Sequence, residues 1–195
     1  MRAWILFSIG ILLLSGSLLT SCARSPNATF YVLSPIPYQK NHSKKYQHLR
    51  IGINDVSSPA YLSKLEIIIH DSAHHVELKN FHQWAGSLNN NIQRVIAANF
   101  STLLPGAAVA MVPWDISFKP NYQLQIDISQ FEVDLSGDSV LRADYLIYSE
   151  NKLYKKGTLY YHEKIPQVTI ERLVISMNDN LTHLTKDLAK ILAGG

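Results

Sequence analysis

Apolar residues run almost unbroken from Trp4 to Leu19, interrupted only by small residues such as Ser8, Gly10 and Ser15. Beyond that run the apolar positions become periodic, and the period changes along the chain. Thr29 to Leu33 is rich in β-forming residues and stops at Ser34-Pro35, which predicts a strand. Ile36 to His48 is polar and reads as a surface loop. Leu49 to Ile53 alternates as a half-buried strand does and ends before Ser57-Ser58-Pro59. Glu66 to His70 and His75 to Leu78 read as two strands flanking a turn at Asp71-Ser72.

The period then shifts to that of a helix. Leu88, Ile92, Val95, Ile96, Phe100, Leu103 and Leu104 mark one helical face, with Ser87 placed to cap it and Pro105-Gly106 to stop it. Ala107 to Val112 reads as a short strand. Tyr122, Leu124, Ile126 and Ile128 alternate strictly, after which Phe131 and Val133 continue on odd numbers, so a β-bulge is expected at Ser129-Gln130. Strands around Leu141 to Ile147 and Leu153 to His162, joined near Asn151-Lys152, complete an antiparallel meander. A final helix carries Ile170, Val174, Met177, Leu181, Leu184, Leu188 and Ile191 at spacings of four and three, before Gly194-Gly195. That seam suits packing on the chain's own sheet, or an oligomer contact. The order β-β-β-β-α-β-β-β-β-α has too few helices to cover both faces of a sheet. It predicts one α+β domain: a mixed or largely antiparallel sheet with two main helices packed on one side.

The first apolar run falls short of the ~20 residues that a spanning helix needs, and it follows a single positive charge, Arg2. It reads as a signal peptide. Its end, Leu19-Thr20-Ser21-Cys22, resembles the lipobox of bacterial lipoproteins: an aliphatic residue, two small residues and a cysteine. The thiol is a soft nucleophile able to take a thioether-linked diacylglycerol, and the small residues let a peptidase close on the backbone. Cleavage would make Cys22 the first residue and its amine a further acylation site. Two or more acyl chains anchor stably where one does not. Cys22 is the only cysteine, so it has no partner within the chain for a disulfide, and a mature N-terminus lacks the pocket that a catalytic thiol needs. The organisation expected is therefore a signal peptide over 1–21, a tether over 22–28 and a domain over 29–195. Ala23 follows the cysteine. In bacterial lipoproteins generally an Asp there favours retention in the inner membrane, so Ala23 points to the inner face of an outer membrane.

The formal net charge of +3 falls to +2 once Arg2 is removed, too small to argue for nucleic acid. Catalytic patterns are absent from the sequence: there is no G-x-S-x-G, H-E-x-x-H or Walker loop. His70-Asp71-Ser72-Ala73-His74-His75 could be taken for a zinc site, but adjacent His74 and His75 on a strand would point to opposite faces, and a solvated hairpin tip accounts for the segment. No metal and no cofactor is expected, apart from covalent lipid on Cys22. Asp127, Glu132, Asp134 and Asp138 read as the wet face of strands and a turn. Trp84, Trp114 and Tyr61-Leu62 lie in predicted connecting segments, where large aromatics anchor interfaces or plug the ends of the core. Tyr61, Leu62 and Trp84 are the candidates for partner binding.

In this order the segments resemble the PqiC/YmbA-type auxiliary lipoproteins of ABC-type transport systems. Phe30-Tyr31-Val32-Leu33-Ser34-Pro35 resembles that family's opening Y-Y-x-L-S-P, and Ile51-Gly52-Ile53 with Pro59-Ala60-Tyr61-Leu62 its I-G-V strand and P-x-Y-L loop. Phe81-His82-Gln83-Trp84-Ala85 is similar to its F-x-x-W-A, and Asn91 to Phe100 to its helix. Val112-Pro113-Trp114 is similar to its P-W element, and Asn121 to Glu132 to its long strand. Two steps depart from it. Ser63-Lys64-Leu65 replaces a charged-then-proline step after Tyr61-Leu62, and Gly86-Ser87 replaces Glu-Pro after Trp84-Ala85.

The resemblance implies a non-enzymatic, outer-membrane-anchored subunit. Its partners would be an MCE-domain protein that bridges the periplasm and that protein's inner-membrane components, in a system moving lipids or other hydrophobic molecules. The alternative is a lipoprotein that itself carries a hydrophobic ligand. A periplasmic hydrolase or metalloenzyme using His70, His74 and His75 is the third class.

Overall fold

Alternation and helical period translate directly into the elements of the computed structural model, which describes residues 26–194. The strands are β1 Thr29–Tyr31, β2 Arg50–Ser57, β3 Glu66–Ser72, β4 His75–Trp84, β5 Ala108–Met111, β6 Tyr122–Val133, β7 Asp138–Ser149 and β8 Lys152–Lys164. The helices are α1 Leu88–Leu103 and α2 Ile170–Leu192, and a 3-10 turn spans Ala60–Ser63. The element order is the expected one. Cys22, the signal segment and most of the tether lie outside the described residues.

The expectation of a single sheet is refined. A three-stranded sheet has the order β1-β4-β3 and a five-stranded sheet the order β5-β2-β6-β7-β8. β2 runs parallel to both neighbours, β1 runs parallel to β4, and β6-β7-β8 is the antiparallel meander. The register shift in β6 falls between Ile128 and Gln130, where the change of phase put it. It keeps Phe131 and Val133 in the core with Leu124, Ile126 and Ile128. The two sheets meet at one parallel bridge, His70 beside Asp134, with the Leu135 amide donating to the His70 carbonyl at 3.1 Å.

Both helices cover one face of this layer. The predicted stripe of α1 is buried from Leu88 to Phe100, and each fully buried aliphatic or aromatic side chain contributes about 1.5–3 kcal/mol. Ser87 caps α1 by accepting the Asn90 amide, and Thr169 caps α2 by accepting the Arg172 amide. The α2 seam faces the core of its own chain: Val174, Met177, Leu181, Leu184 and Leu188 are all buried. Leu173, Ala189 and Leu192 widen that buried face beyond a coiled-coil stripe.

Three asparagines hold the extended segment that follows β1 against the helices. Asn91 accepts the Leu33 amide at 2.7 Å and donates to the Leu33 carbonyl at 3.1 Å. Asn178 accepts the Ser34 amide and Asn99 the Ile36 amide, each at 2.8 Å. Pro35 and Pro37 have no N–H, so this stretch cannot continue as a strand interior, and the amides present are met by side chains instead.

Candidate functional site at the seam of the two sheets

With both helices on one face, the opposite face of the β-layer is bare. On the large sheet it carries the polar alternates of each strand, among them Gln125, Asp127, Arg142, Asp144 and Thr158. At the junction with the small sheet it opens into a cleft of about 550 Å³. The floor comes from the ends of β3 and β6, His70 with Gln130 and Glu132, and the wall from the β6–β7 turn with Asp134, Ser136 and Asp138.

Glu132 is the hub of the floor. The Tyr61 hydroxyl donates to its Oε1 at 2.7 Å, Gln130 Nε2 approaches Oε2 at 3.5 Å, and His70 Nε2 lies 3.8 Å from Oε1. The Tyr61 ring meets His70 edge-on at 6.4 Å between centroids. Burial, reinforced by the Glu132 carboxylate, pushes the Tyr61 phenol above its ordinary range, so the hydroxyl stays a donor.

The wall is set by a tight turn. Gly137 has φ +91°, and a Cβ there would run into the Ile165 carbonyl, so only glycine fits. Asp134 Oδ1 accepts the Asp138 amide at 2.8 Å. The Ser136 hydroxyl lies 2.7 Å from Asp134 Oδ1 and 2.6 Å from Asp138 Oδ2, and its one proton serves one of them at a time. Lys164 Nζ and His162 Nε2 reach Asp138 at 2.9 and 2.8 Å. The Ser136 bond first, then Lys164 and His162, hold the Asp138 carboxyl well below the usual carboxylate range. These groups can present hydrogen-bonding and charged edges to a partner.

The residues singled out from sequence fall in different places. Tyr61 is half-buried at the edge of this constellation. Leu62 and Trp84 are 7% and 5% exposed, so the expectation that they are presented to a partner is corrected. Both enter the gap where the small sheet meets the helices, beside Ile67, Leu88, Phe131 and Met177. Trp84 is not in a connecting segment at all, because β4 continues to it. Trp114 covers Gly52 of β2, where a Cβ would come within 3.0 Å of its ring. The hairpin turn falls at Ala73-His74, two residues beyond the expected Asp71-Ser72, and His75 Nδ1 pairs with Asp71 at 2.6 Å. Among the described residues no three potential metal ligands come together. Glu132, Asp134 and Asp138, read from sequence only as wet-face residues, turn out to line the cleft. The local turn brings Asp134 and Asp138 together, whereas His70 joins them through the His70–Asp134 bridge, which no local pattern announces.

Comparison with known proteins places this geometry. The chain is 23% identical over 157 residues to the intermembrane transport lipoprotein PqiC of Escherichia coli (strain K12), covering 80% of this chain and 79% of that protein. The PqiC of Shigella flexneri matches to the same extent. A crystal structure of a protein from Xanthomonas campestris shares the fold, with a TM-score of 0.70 at 16% identity, covering 86% of this chain and 97% of that one. Another crystal structure, of an uncharacterised protein, gives 0.71 at 19% identity over 85% and 98%. Among the described residues no helix is long and apolar enough to cross a membrane. A family model described as the ABC-type transport auxiliary lipoprotein component matches residues 31–189, nearly the whole folded region, and the chain belongs to that family.

Proposed function

We propose that the chain is a non-catalytic docking subunit of an intermembrane transport system, tethered by lipid on Cys22 to the periplasmic face of the outer membrane. Its partner is the end of an MCE-domain protein that bridges the periplasm. The observation that carries this reading is the family match over 31–189, which begins nine residues after Cys22. The domains are then a signal peptide over 1–21, a tether over 22–28 and the docking domain from residue 29. The bare β-face supplies the contact surface, with Tyr61 at the edge of its cleft. Leu62 and Trp84 support that region from beneath.

The core favours docking over carriage of a lipid. The interior gap lined by Leu62, Trp84, Leu88 and Phe131 has room for about 10 Å³. A bound water alone takes ≳10–15 Å³ by the same kind of measure, and an acyl chain far more.

The test is capture of the MCE protein of the same organism by the intact lipoprotein in detergent-solubilised membranes. Co-purification of the two is expected, and its loss when Glu132 and Asp138 are replaced by Lys would locate the contact at the cleft. No association in membranes that hold both proteins would overturn the proposal.

A further inference from the structure

Where the bare face of the large sheet mixes polar residues with Tyr160, that of the small sheet carries exposed phenylalanines. Tyr31 and His82 are on its inner side, joined by a 2.8 Å hydrogen bond, and Trp84 is buried there too. By strand alternation Phe30 and Phe81 point the other way. They are 61% and 46% exposed. The β1–β4 register puts Phe30 beside Gln83, so Phe81 is its diagonal neighbour at roughly 8 Å between Cα atoms. Leu78, 40% exposed and opposite Ile68, faces the same way because the register shift between Lys79 and Gln83 reverses the alternation. Contiguous exposed apolar surface on a folded domain marks a contact site, whereas scattered residues do not.

What covers this face follows from where the chain enters it. Thr29 pairs with His82, so the backbone before it leaves the sheet alongside Phe81. Thr29 lies seven residues beyond Cys22, which limits the lipid attachment point to roughly 25 Å from the start of β1 even when fully extended. The apolar face is therefore within reach of the anchor. Its two aromatics have the character of residues that settle at the boundary of acyl chains and headgroups. We propose that Phe30, Phe81 and Leu78 rest on the lipid surface that holds Cys22, fixing the orientation of the domain and leaving the polar cleft open to a protein partner. This rests on the lipid-anchor reading of Cys22.

The mature lipoprotein, reconstituted in vesicles of phosphatidylethanolamine and phosphatidylglycerol with brominated acyl chains, provides the test. Tryptophan is introduced as Phe30→Trp, Phe81→Trp or, on the polar part of the same face, Tyr160→Trp, and emission is corrected for the unsubstituted protein. Quenching at 30 and 81 is expected to exceed that at 160 at least twofold. Equal quenching at all three, or none, overturns the orientation. Emission from 30 and 81 that stays unquenched but shifts to the blue with rising protein concentration assigns the face to a second copy and overturns it equally. Hydroxyl-radical labelling of Phe30 and Phe81 in the unsubstituted protein, expected to fall at least twofold on vesicles, gives the same answer without any variant. Flotation with the vesicles reads the anchor separately. Protein that does not float refutes lipidation, whereas protein that floats with unprotected Phe30 and Phe81 refutes only the orientation.

Discussion

The Tyr61 hydroxyl donates to Glu132 across 2.7 Å, tying the 3-10 turn after β2 to the bulged end of β6. The bond fixes the edge of the cleft, because Glu132 also faces His70. Tyr61→Phe keeps the ring against His70 and removes only the donor. Since the pair is partly exposed, the expected cost is about 1–2 kcal/mol in urea unfolding. Tyr61→Ala adds the loss of the ring and should cost more. Equal costs for the two variants would show that the hydroxyl contributes nothing.

Asn91 satisfies both the amide and the carbonyl of Leu33. Asn91→Ala leaves both to find water, and Leu33 itself is buried. A loss of about 1–3 kcal/mol is expected, together with faster proteolysis within the loop that follows it, 36–48. Unchanged cleavage would mean that Asn99 and Asn178 hold the segment without Asn91.

The elements that could be read from sequence are those whose pattern is local. The phase change at Ser129-Gln130 located the bulge in β6, and the stripes of α1 and α2 located the helices, because one buried face imposes its period on the residues that form it. The rest depends on distant pairing. Residues Lys79 to Trp84 show no clean alternation, since the register between β3 and β4 shifts there. The strand therefore looked like a loop, and Trp84 like an exposed anchor. The division into two sheets, the parallel neighbours of β2 and the meeting of His70 with Asp134 are likewise set by segments far apart in the chain. In the cleft, Tyr61 stood out as a loop aromatic. Glu132 and Asp138 did not, because an outward carboxylate on a strand looks the same whether or not others converge on it.

Gly52 is a sharp test of how the loop after β5 is held. A Cβ added there would lie 3.0 Å from two atoms of the Trp114 ring and 3.1 Å from Pro120. Neither a fused ring nor a proline yields easily. Gly52→Ala should cost about 1–3 kcal/mol and shift Trp114 emission to the red, while buried Trp84 serves as an unmoved reference. Arg50, stacked 4.8 Å over Phe118, belongs to the same cover and should lose that contact with it.

Asp138 gives the fold an acid-sensitive point. Its carboxyl is depressed in the folded protein by Ser136, Lys164 and His162. A depressed carboxylate adds stability that is fully present above the unfolded value, about 3.9, and is lost as pH falls toward the folded one. Unfolding midpoints should therefore drop below about pH 4, and Asp138→Asn should make that drop shallower without removing it. Asp187, held down by Lys190 and Tyr161, contributes over the same range. An acid limb identical in Asp138→Asn would show that the turn does not couple to folding.

The proposed placement of the domain depends on Cys22, and the chemistry of that residue makes the outcome sharp. Serine matches its size but has a hard, poorly nucleophilic oxygen in place of the thiolate that, on the proposed reading, takes the diacylglycerol. Cys22→Ser should therefore leave a precursor that retains residues 1–21, detectable as a mass increase, with no lipid in the intact-mass spectrum. The folded domain should be unaffected, since it begins at Thr29, seven residues further on, and unfolding of the soluble part should match the parent. Cleavage between Ser21 and Cys22 in this variant would refute the lipobox. Replacing Ala23 with Asp should leave the proposed acylation intact and tests only the proposed choice of membrane: the modified protein is expected in the inner-membrane fraction and the parent in the outer-membrane fraction.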